Sequence, residues 1–199
     1  MREYKLILAS ASPRRSVLLK KAGFEFDVIP SNYEEKLSDS NFSYEKIENL
    51  AYQKALNVLK THTEIRNSFI LGADTVVVLD NKILGKPKDK NNALEMLKIL
   101  SGKTHFVVTA ICLIDSNTKK KVVKSTTSSV SFKDLSEEKI LSYIEKYNPM
   151  DKAGSYGIQE LPPDFIEKVE GSFENIVGLC PNVVSELLSA ALSEEKELF

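Results

Sequence analysis

Apolar residues follow two spacings along the chain, and together these predict a mixed α/β fold. Short continuous or alternating runs predict strands, whereas apolar stripes at helical spacing predict helices between them. The predicted strands are Lys5–Ala9, Phe26–Ile29, Phe69–Gly72, Val76–Leu79, His105–Asp115, Lys121–Phe132 and Phe165–Val169. The predicted helices are Arg14–Ala22, a long helix from about Ser43, Asn91–Leu100, Ser136 to Asn148, and a last one carrying Val184, Leu187, Leu188 and Ala191. A turn is predicted at Asp80-Asn81.

Size and charge narrow the class of protein. The 199 residues are 42% hydrophobic and 28% charged, which suits one globular domain over residues 1–199, folded as two lobes about a cleft. The net charge of −1 lacks the basic surplus of a general nucleic-acid binder. No apolar stretch reaches membrane length or forms a signal-peptide core. Cys112 and Cys180 stand far apart without a Cys/His cluster, so we expect two buried thiols in a reducing cytoplasm.

The segment Ser10–Arg15 joins the first strand to the first helix and is a candidate phosphate site. Pro13 takes the first helical position after Ser12, which is a strong helix-start signal. Two arginines in a first turn carry the wrong sign for the helix dipole, and this favours a bound anion there. Free N–H groups, serine hydroxyls and guanidinium donors all suit phosphate oxygens. The alternative is that both arginines are simply solvated.

Lys54 lies in the middle of the long helix, on its apolar stripe. The stripe consists of Ile47, Leu50, Ala51, Ala55 and Val58. A lysine on an inward face must either extend to solvent or meet an anion. Because Lys54 is far from both helix ends, we favour a cleft in which it meets an anion.

Asp74 is a single acid between two apolar runs. A buried lone carboxylate is costly unless a metal, a cation or a raised pKa compensates it. Each of these fits a catalytic acid or base or a metal ligand. The alternative is a capping aspartate at an exposed strand end. The neighbouring Gly72-Ala73 favours function, because it allows another group to approach the backbone closely.

Five sequence blocks carry a resemblance that covers almost the whole chain. They are Leu8–Arg15, Gly72–Val76, Gly85-Lys86-Pro87, Leu100–His105 and Pro149–Gln159. In this order they resemble the signature blocks of the Maf family of nucleotide pyrophosphatases. The resemblance implies an elongated mixed β-sheet flanked by helices, with two lobes around a central cleft. It also implies hydrolysis of nucleoside triphosphates to the monophosphate and pyrophosphate with a divalent metal, Mg²⁺ or Mn²⁺, and often a homodimer.

The resemblance also implies roles for single residues. Asp74 corresponds to the family's proton acceptor, and Arg14, Thr75 and Gln159 fall at positions linked to substrate choice. Glu35, Lys54 and Lys86 match further cleft positions. We therefore expect the triphosphate to be bound by Ser10, Arg14, Arg15, Lys54, Thr75, Lys86 and Gln159. We expect the metal to be bound by Glu35 and Asp74.

The block Asp151–Gln159 resembles the branch of the family that acts on dTTP and UTP. Two alternatives remain: a related enzyme for 7-methyl-GTP or a damaged purine, and a nucleotide-binding regulator of cell division without turnover. The chain departs from the family at Glu160, where glycine is usual, at Leu161-Pro162-Pro163, and at Cys180, where proline is common. These departures bear on base preference more than on hydrolysis.

Overall fold

The computed structural model describes residues 4–34 and 40–196. The described strands are β1 (Lys5–Leu8), β2 (Asp27–Val28), β3 (Ser68–Leu79), β4 (Lys82–Leu84), β5 (Thr104–Asp115), β6 (Lys121–Phe132) and β7 (Ile166–Glu170). The described helices are α1 (Pro13–Lys21), α2 (Tyr44–Thr61), α3 (Lys90–Leu100), α4 (Glu137–Tyr147), α5 (Phe173–Val177) and α6 (Pro181–Lys196). Two 3-10 turns, Pro149–Asp151 and Ala153–Ser155, follow α4.

The described strands form one mixed sheet. Their order is β2-β1-β3-β5-β6-β7, and β4 pairs with β3 outside this path. β2, β1 and β3 are parallel, whereas β3, β5, β6 and β7 run antiparallel to their neighbours. The predicted mixed sheet with flanking helices is therefore confirmed. Within the described part of the chain, no helix has both the length and the apolar character needed to cross a membrane.

Helices cover both faces of the sheet, because successive side chains of a strand point to opposite sides. Even-numbered residues of β3 such as Ile70, Val76 and Val78 belong to a core cluster with α2. Odd-numbered residues such as Phe69 and Val77 belong to a second cluster with α1, α3, α4, α5 and α6. Each fully buried aliphatic or aromatic side chain contributes about 1.5–3 kcal/mol to folding.

β3 is one unbroken strand, where the apolar pattern predicts two separate runs. Asp74 pairs with Ala110 and Thr75 with Thr109, so the ladder to β5 continues through the polar residues. The ladder is unbroken because its hydrogen bonds use the backbone, whatever side chain stands there. The prediction of two strands is wrong, and Asp74 lies in the middle of one strand.

The turn after β3 lies where the residue types in the sequence predict it. Asp80 and Asn81 have φ values of 49° and 61° and form the predicted turn, since Asp and Asn tolerate this left-handed conformation. The boundaries of most predicted elements shift by a few residues. The short helix α5 was not predicted, because its five residues are too few to produce a periodic pattern.

Both cysteines are buried and free, which confirms the prediction of two buried thiols. Burial raises the pKa of the Cys112 thiol to about 12. A thiol that stays protonated at neutral pH is a poor nucleophile. Cys112 therefore acts as a small apolar core residue.

Candidate active site

The candidate active site lies where one edge of β3 has no strand partner. On that edge β1 pairs with residues 68–71 of β3 and β4 pairs with residues 77–79. Among the described strands, none pairs with residues 72–76 on this side. A cavity of about 500 Å³ opens at the gap. Side chains from both faces of the strand can reach it, and both Asp74 and Thr75 line it.

The cavity is built from segments that are distant in sequence. Its lining comes from the start of α1, from α2, β3, β4 and β5, from the loop after α4, and from the end of α5. The described lining residues are Ser12, Arg14, Arg15, Lys54, Asp74, Thr75, Val76, Val77, Ile83, Gly85, Lys86, Val107, Asp151, Lys152, Ala153, Tyr156, Gly157, Ile176, Val177 and Gly178. The predicted cleft is therefore present, and both charged groups and aliphatic side chains line it.

Asp74 contacts Lys54 in the wall of the cavity. Asp74 is 4% exposed, and the Lys54 Nζ donates to its Oδ1. The two side chains meet because α2 lies close against β3. A Cβ atom on Gly72 would lie 2.1 Å from the Ala51 carbonyl oxygen. Only glycine permits this approach, which puts an ammonium group against a buried carboxylate, as Lys54 on the inward stripe predicts.

Arg14 lines the cavity and forms an ion pair with the loop after α4. Its Nη1 donates to Asp151 Oδ2 at 2.9 Å. Asp151 Oδ1 also accepts a hydrogen bond from Lys152 Nζ at 2.9 Å. Partial burial acts to raise the pKa of Asp151, but the hydrogen bonds from Lys152 and Arg14 outweigh it and hold the pKa below its usual value. The carboxylate is thus charged at neutral pH, and it orders two cationic groups of the cavity.

Arg15 differs from Arg14, because its guanidinium donates hydrogen bonds to three residues inside the protein. The side chain is buried, and its Nε donates to the Gly178 carbonyl at 2.9 Å. Nη1 donates to Ser10 Oγ at 3.0 Å, and Nη2 donates to Thr75 Oγ1 at 3.2 Å. Arg15 therefore joins the β1–α1 connection, β3 and the turn after α5.

The Thr75 hydroxyl belongs to an internal chain of hydrogen bonds. Thr109 Oγ1 donates to the Asn175 carbonyl at 2.9 Å, which uses its single hydrogen. The single hydrogen of Thr75 Oγ1 thus has two internal acceptors, Thr109 Oγ1 at 2.9 Å and the Gly178 carbonyl at 3.3 Å. Because Thr75 also accepts from Arg15, its hydroxyl anchors neighbouring elements and has no hydrogen left to offer a ligand.

The start of α1 faces the cavity without a side-chain cap. Ser43, Asp89 and Ser136 each accept a backbone hydrogen bond from the helix that they begin. Ser12 makes no such bond to α1, and the first turn of α1 holds no acidic residue. First-turn N–H groups without a side-chain acceptor suit an anion.

The loop after α4 is tied to the core by an aromatic cluster. His105 is fully buried, and its Nε2 lies 2.8 Å from the Tyr156 hydroxyl. Burial lowers the pKa of His105 to about 4, so the ring is neutral at pH 7. The rings of His105 and Phe132 meet edge to face at 5.0 Å. The contact with His105 therefore holds the Tyr156 side chain in its place in the cavity lining.

The structure brings most of the predicted site residues together. Arg14, Arg15, Lys54, Asp74, Thr75 and Lys86 all line the cavity. Ser10 lies behind this lining, where its Oγ accepts from Arg15 Nη1 and from the backbone N–H of Ser12. Gln159 is exposed in a turn and is not among the lining residues. Glu35 lies outside the described residues.

Sequence reasoning missed several lining residues, among them Lys152 and Tyr156. Both belong to the segment Asp151–Gln159, in which the family resemblance implies a role for Gln159 alone. Lys152 is nearly buried, and neither a helical nor a strand period marks it as inward-facing. The aliphatic wall from Ile176 and Val177 was missed as well, because α5 was not predicted.

A family model described as Maf-like protein matches residues 5–191. The chain belongs to the Maf family. Curated relatives of this Maf chain include a protein from Alkaliphilus oremlandii that is 48% identical over 87% of this chain and 89% of its own length. A protein from Ruminiclostridium cellulolyticum is 44% identical over 92% of this chain and 94% of its own length. One from Acetivibrio thermocellus is 43% identical, with coverage of 92% and 94%. Each of the three is named dTTP/UTP pyrophosphatase.

Proposed function

We propose that this Maf chain hydrolyses nucleoside triphosphates to the monophosphate and pyrophosphate, with dTTP and UTP as substrates. One observation carries the proposal: a buried carboxylate, Asp74, is held by Lys54 in the wall of a cavity that is rich in cations. The names of the curated relatives support the same reaction and the same two nucleotides.

The charge of the cavity suits a triphosphate. Its described lining contains five Arg or Lys side chains and two carboxylates, which leaves an excess of three positive charges. Arg14 and Lys86 supply donors at the lining, and the start of α1 adds backbone N–H groups. Arg15 acts mainly by holding these segments in place. Such a preorganised set of donors stabilises charge that develops on phosphoryl oxygens.

Asp74 is the general base of the proposed reaction. It takes a proton from a water molecule as the water oxygen bonds to the α-phosphorus. The bond from the α-phosphorus to the oxygen bridging to the β-phosphate then breaks, and pyrophosphate leaves with that oxygen. The nucleotide retains the hydroxyl oxygen as the monophosphate. Lys54 orients Asp74 and compensates its negative charge while no substrate is present.

The residues present fit a divalent metal that the substrate helps to bind. Among the described residues, no group of three or more His, Cys, Asp or Glu side chains could hold a metal ion alone. Mg²⁺, however, is commonly bound by one or two carboxylates together with substrate phosphates. Both lining carboxylates pair with cations, Asp74 with Lys54 and Asp151 with Arg14 and Lys152, and Asp74 is the one that was predicted to bind the metal. Bound Mg²⁺ or Mn²⁺ would polarise the α-phosphate; Glu35 remains the predicted second ligand.

The aliphatic part of the cavity suits the base of the nucleotide. Val77, Val107, Ile176, Val177 and the aromatic residue Tyr156 are among its lining residues. A planar base buries apolar area against such a wall, while its polar edges need separate donors and acceptors. The predicted roles of Arg14, Thr75 and Gln159 in substrate choice remain proposals. Thr75 would act by holding the turn at Gly178, because its hydroxyl is used internally.

The decisive experiment measures pyrophosphate release from dTTP, UTP, 7-methyl-GTP and the common purine triphosphates. We expect dTTP and UTP to have the highest kcat/KM and a chelator to abolish turnover. Faster turnover of 7-methyl-GTP or a damaged purine would assign the chain to that alternative. Nucleotide binding without any release of pyrophosphate would support the non-catalytic regulator.

The remaining sequence predictions concern the whole protein. We propose that residues 1–199 form a single domain, since core clusters on the two faces share one sheet. A cytoplasmic location was expected from the cysteine pattern and a homodimer from the family resemblance, and both stay proposals. Sedimentation velocity on the purified protein tests the dimer directly.

A further inference from the structure

Lys152 is a cation held between two carboxylates in the wall of the cavity. Its side chain is 8% exposed, and its Nζ lies 2.9 Å from Asp151 Oδ1 and 3.1 Å from Glu160 Oε2. The contact with Asp151 has the geometry of a hydrogen bond. The Glu160 oxygen is buried and makes no well-aligned hydrogen bond, so its charge is balanced by the ion pair with Lys152.

Glu160 also ends the turn that carries Gln159. Its backbone N–H donates to the Gly157 carbonyl at 2.9 Å and closes the four-residue turn from Gly157 to Glu160. At the other end, the Gly157 N–H donates to the Tyr143 hydroxyl at 3.1 Å. The turn is thus fixed at its first residue by a hydrogen bond and at its last residue by a hydrogen bond and an ion pair.

The stem of Lys152 passes directly against this turn. A Cβ atom on Gly157 would lie 2.9 Å from Lys152 Cε and 3.2 Å from Glu160 Oε2. Gly157 and Lys152 both line the cavity. Lys152 is thus close to the turn at Gly157 and is linked to its last residue through the ion pair with Glu160.

We propose that Glu160 is a positioning residue for substrate selection, which acts by holding Lys152 in the cavity wall and by fixing the turn from Gly157 to Glu160. The inference rests on the proposed function, because it assumes that the cavity binds a nucleotide. The proposed role of Glu160 is separate from catalysis. Glu160 determines which base the cavity accepts, whereas Asp74 determines the rate of hydrolysis. Neutral glutamine at position 160 leaves the Lys152 charge balanced by Asp151 alone, and the last residue of the turn then keeps only its backbone hydrogen bond to Gly157.

The test measures affinity for the α,β-methylene analogues of dTTP and GTP, which resist cleavage at the bond that is broken in the reaction. In Glu160→Gln, we expect the ratio of the two dissociation constants to move toward one by about threefold to tenfold, the range for coupled residues in contact. We expect kcat for the preferred triphosphate to stay within about twofold, as for a residue that touches no reacting atom. Lys152→Met should change the ratio in the same direction.

The double variant distinguishes positioning through Lys152 from a general structural effect. If Glu160 acts through Lys152, adding Glu160→Gln to Lys152→Met produces no further change in the ratio. Glu170→Gln is the matched control, because Glu170 pairs with Lys168 at 2.7 Å on the exposed part of β7. That variant should keep the ratio of the unaltered protein.

Two outcomes overturn the proposal. They are an unchanged ratio in Glu160→Gln, and an unaltered protein that binds both analogues equally well. Failure of the proposed function has a different signature, namely no pyrophosphate release from any triphosphate by the unaltered protein. Because the analogues are never hydrolysed, their binding ratio tests the role of Glu160 in that case as well.

Discussion

Lys54 and Asp74 meet across the interface between α2 and β3, and their ion pair connects the hydrophobic core to the cavity. Lys54 lies on a helix stripe whose other members are buried, and Asp74 faces α2 from the middle of β3. Each charge compensates the other in a site where either alone would be costly. The pair explains how a carboxylate can lie amid apolar side chains and still border a ligand cavity.

Asp74→Asn should lower kcat by about a hundredfold or more, the usual effect of losing a general base. Asparagine has nearly the same shape but cannot take up a proton from water. Steady-state release of pyrophosphate from dTTP measures the effect. Asp80→Asn is the matched control, since Asp80 is exposed in the β3–β4 turn, where asparagine is equally suited to the backbone. Near-normal turnover in Asp74→Asn would remove Asp74 from the role of base.

Gly72→Ala should destabilise the protein by about 1–3 kcal/mol, because the added methyl group overlaps the Ala51 carbonyl and α2 must move away from β3. The same movement separates Lys54 from Asp74, so turnover should fall as well. Chemical denaturation measures the free energy of unfolding. In Gly85→Ala the added atom has no neighbour within 4 Å, and stability should be unchanged. Equal stabilities of the two variants would contradict the close approach of α2.

Local patterns in the sequence could predict residues whose environment is set by their own element. The helical stripe identifies Lys54 as inward-facing, and the apolar surroundings identify Asp74 as buried. Strand positions follow from the same kind of pattern. Strand order does not, because the pairing of β1 with β3 depends on contacts between distant segments. For the same reason, the unpaired edge of β3 could not be predicted.

The adjacent arginines illustrate what local patterns leave out. Arg14 and Arg15 have the same charge and the same relation to the helix start, yet one reaches Asp151 and the other Gly178. These partners are 137 and 163 residues away in sequence. Only the folded arrangement of α1, the loop after α4 and the end of α5 separates the two roles. Gln159 is a similar case, since its exposure depends on the turn that Glu160 closes.

Arg15→Lys should lower the free energy of unfolding by about 1.5–3 kcal/mol, the range for hydrogen bonds to charged groups. Lysine keeps the charge but cannot reach Gly178, Ser10 and Thr75 with one forked group. Urea denaturation provides the measurement. Arg14→Lys is the matched control, because a lysine can still pair with the exposed Asp151 and such pairs contribute about 1 kcal/mol or less. A larger loss in Arg14→Lys than in Arg15→Lys would contradict the clamp.

His105 should make the protein less stable as pH falls from 7 to 4. Burial lowers the pKa of the folded-state ring from 6.5 to about 4, so the unfolded chain takes up the proton first. Stability from this group is therefore fully present above about pH 6.5 and declines toward pH 4, where about 3 kcal/mol is lost. His105→Gln removes the titrating ring while keeping a donor near the Tyr156 hydroxyl. Its free energy of unfolding should fall less between these pH values than that of the unaltered protein.

The comparison isolates His105 because the carboxylates titrate in both proteins and cancel in the difference. Denaturant titrations at pH 4, 5, 6 and 7 give the slopes. Parallel curves for His105→Gln and the unaltered protein would mean that folding does not lower the pKa of His105, which would contradict its burial as a neutral ring beside Tyr156.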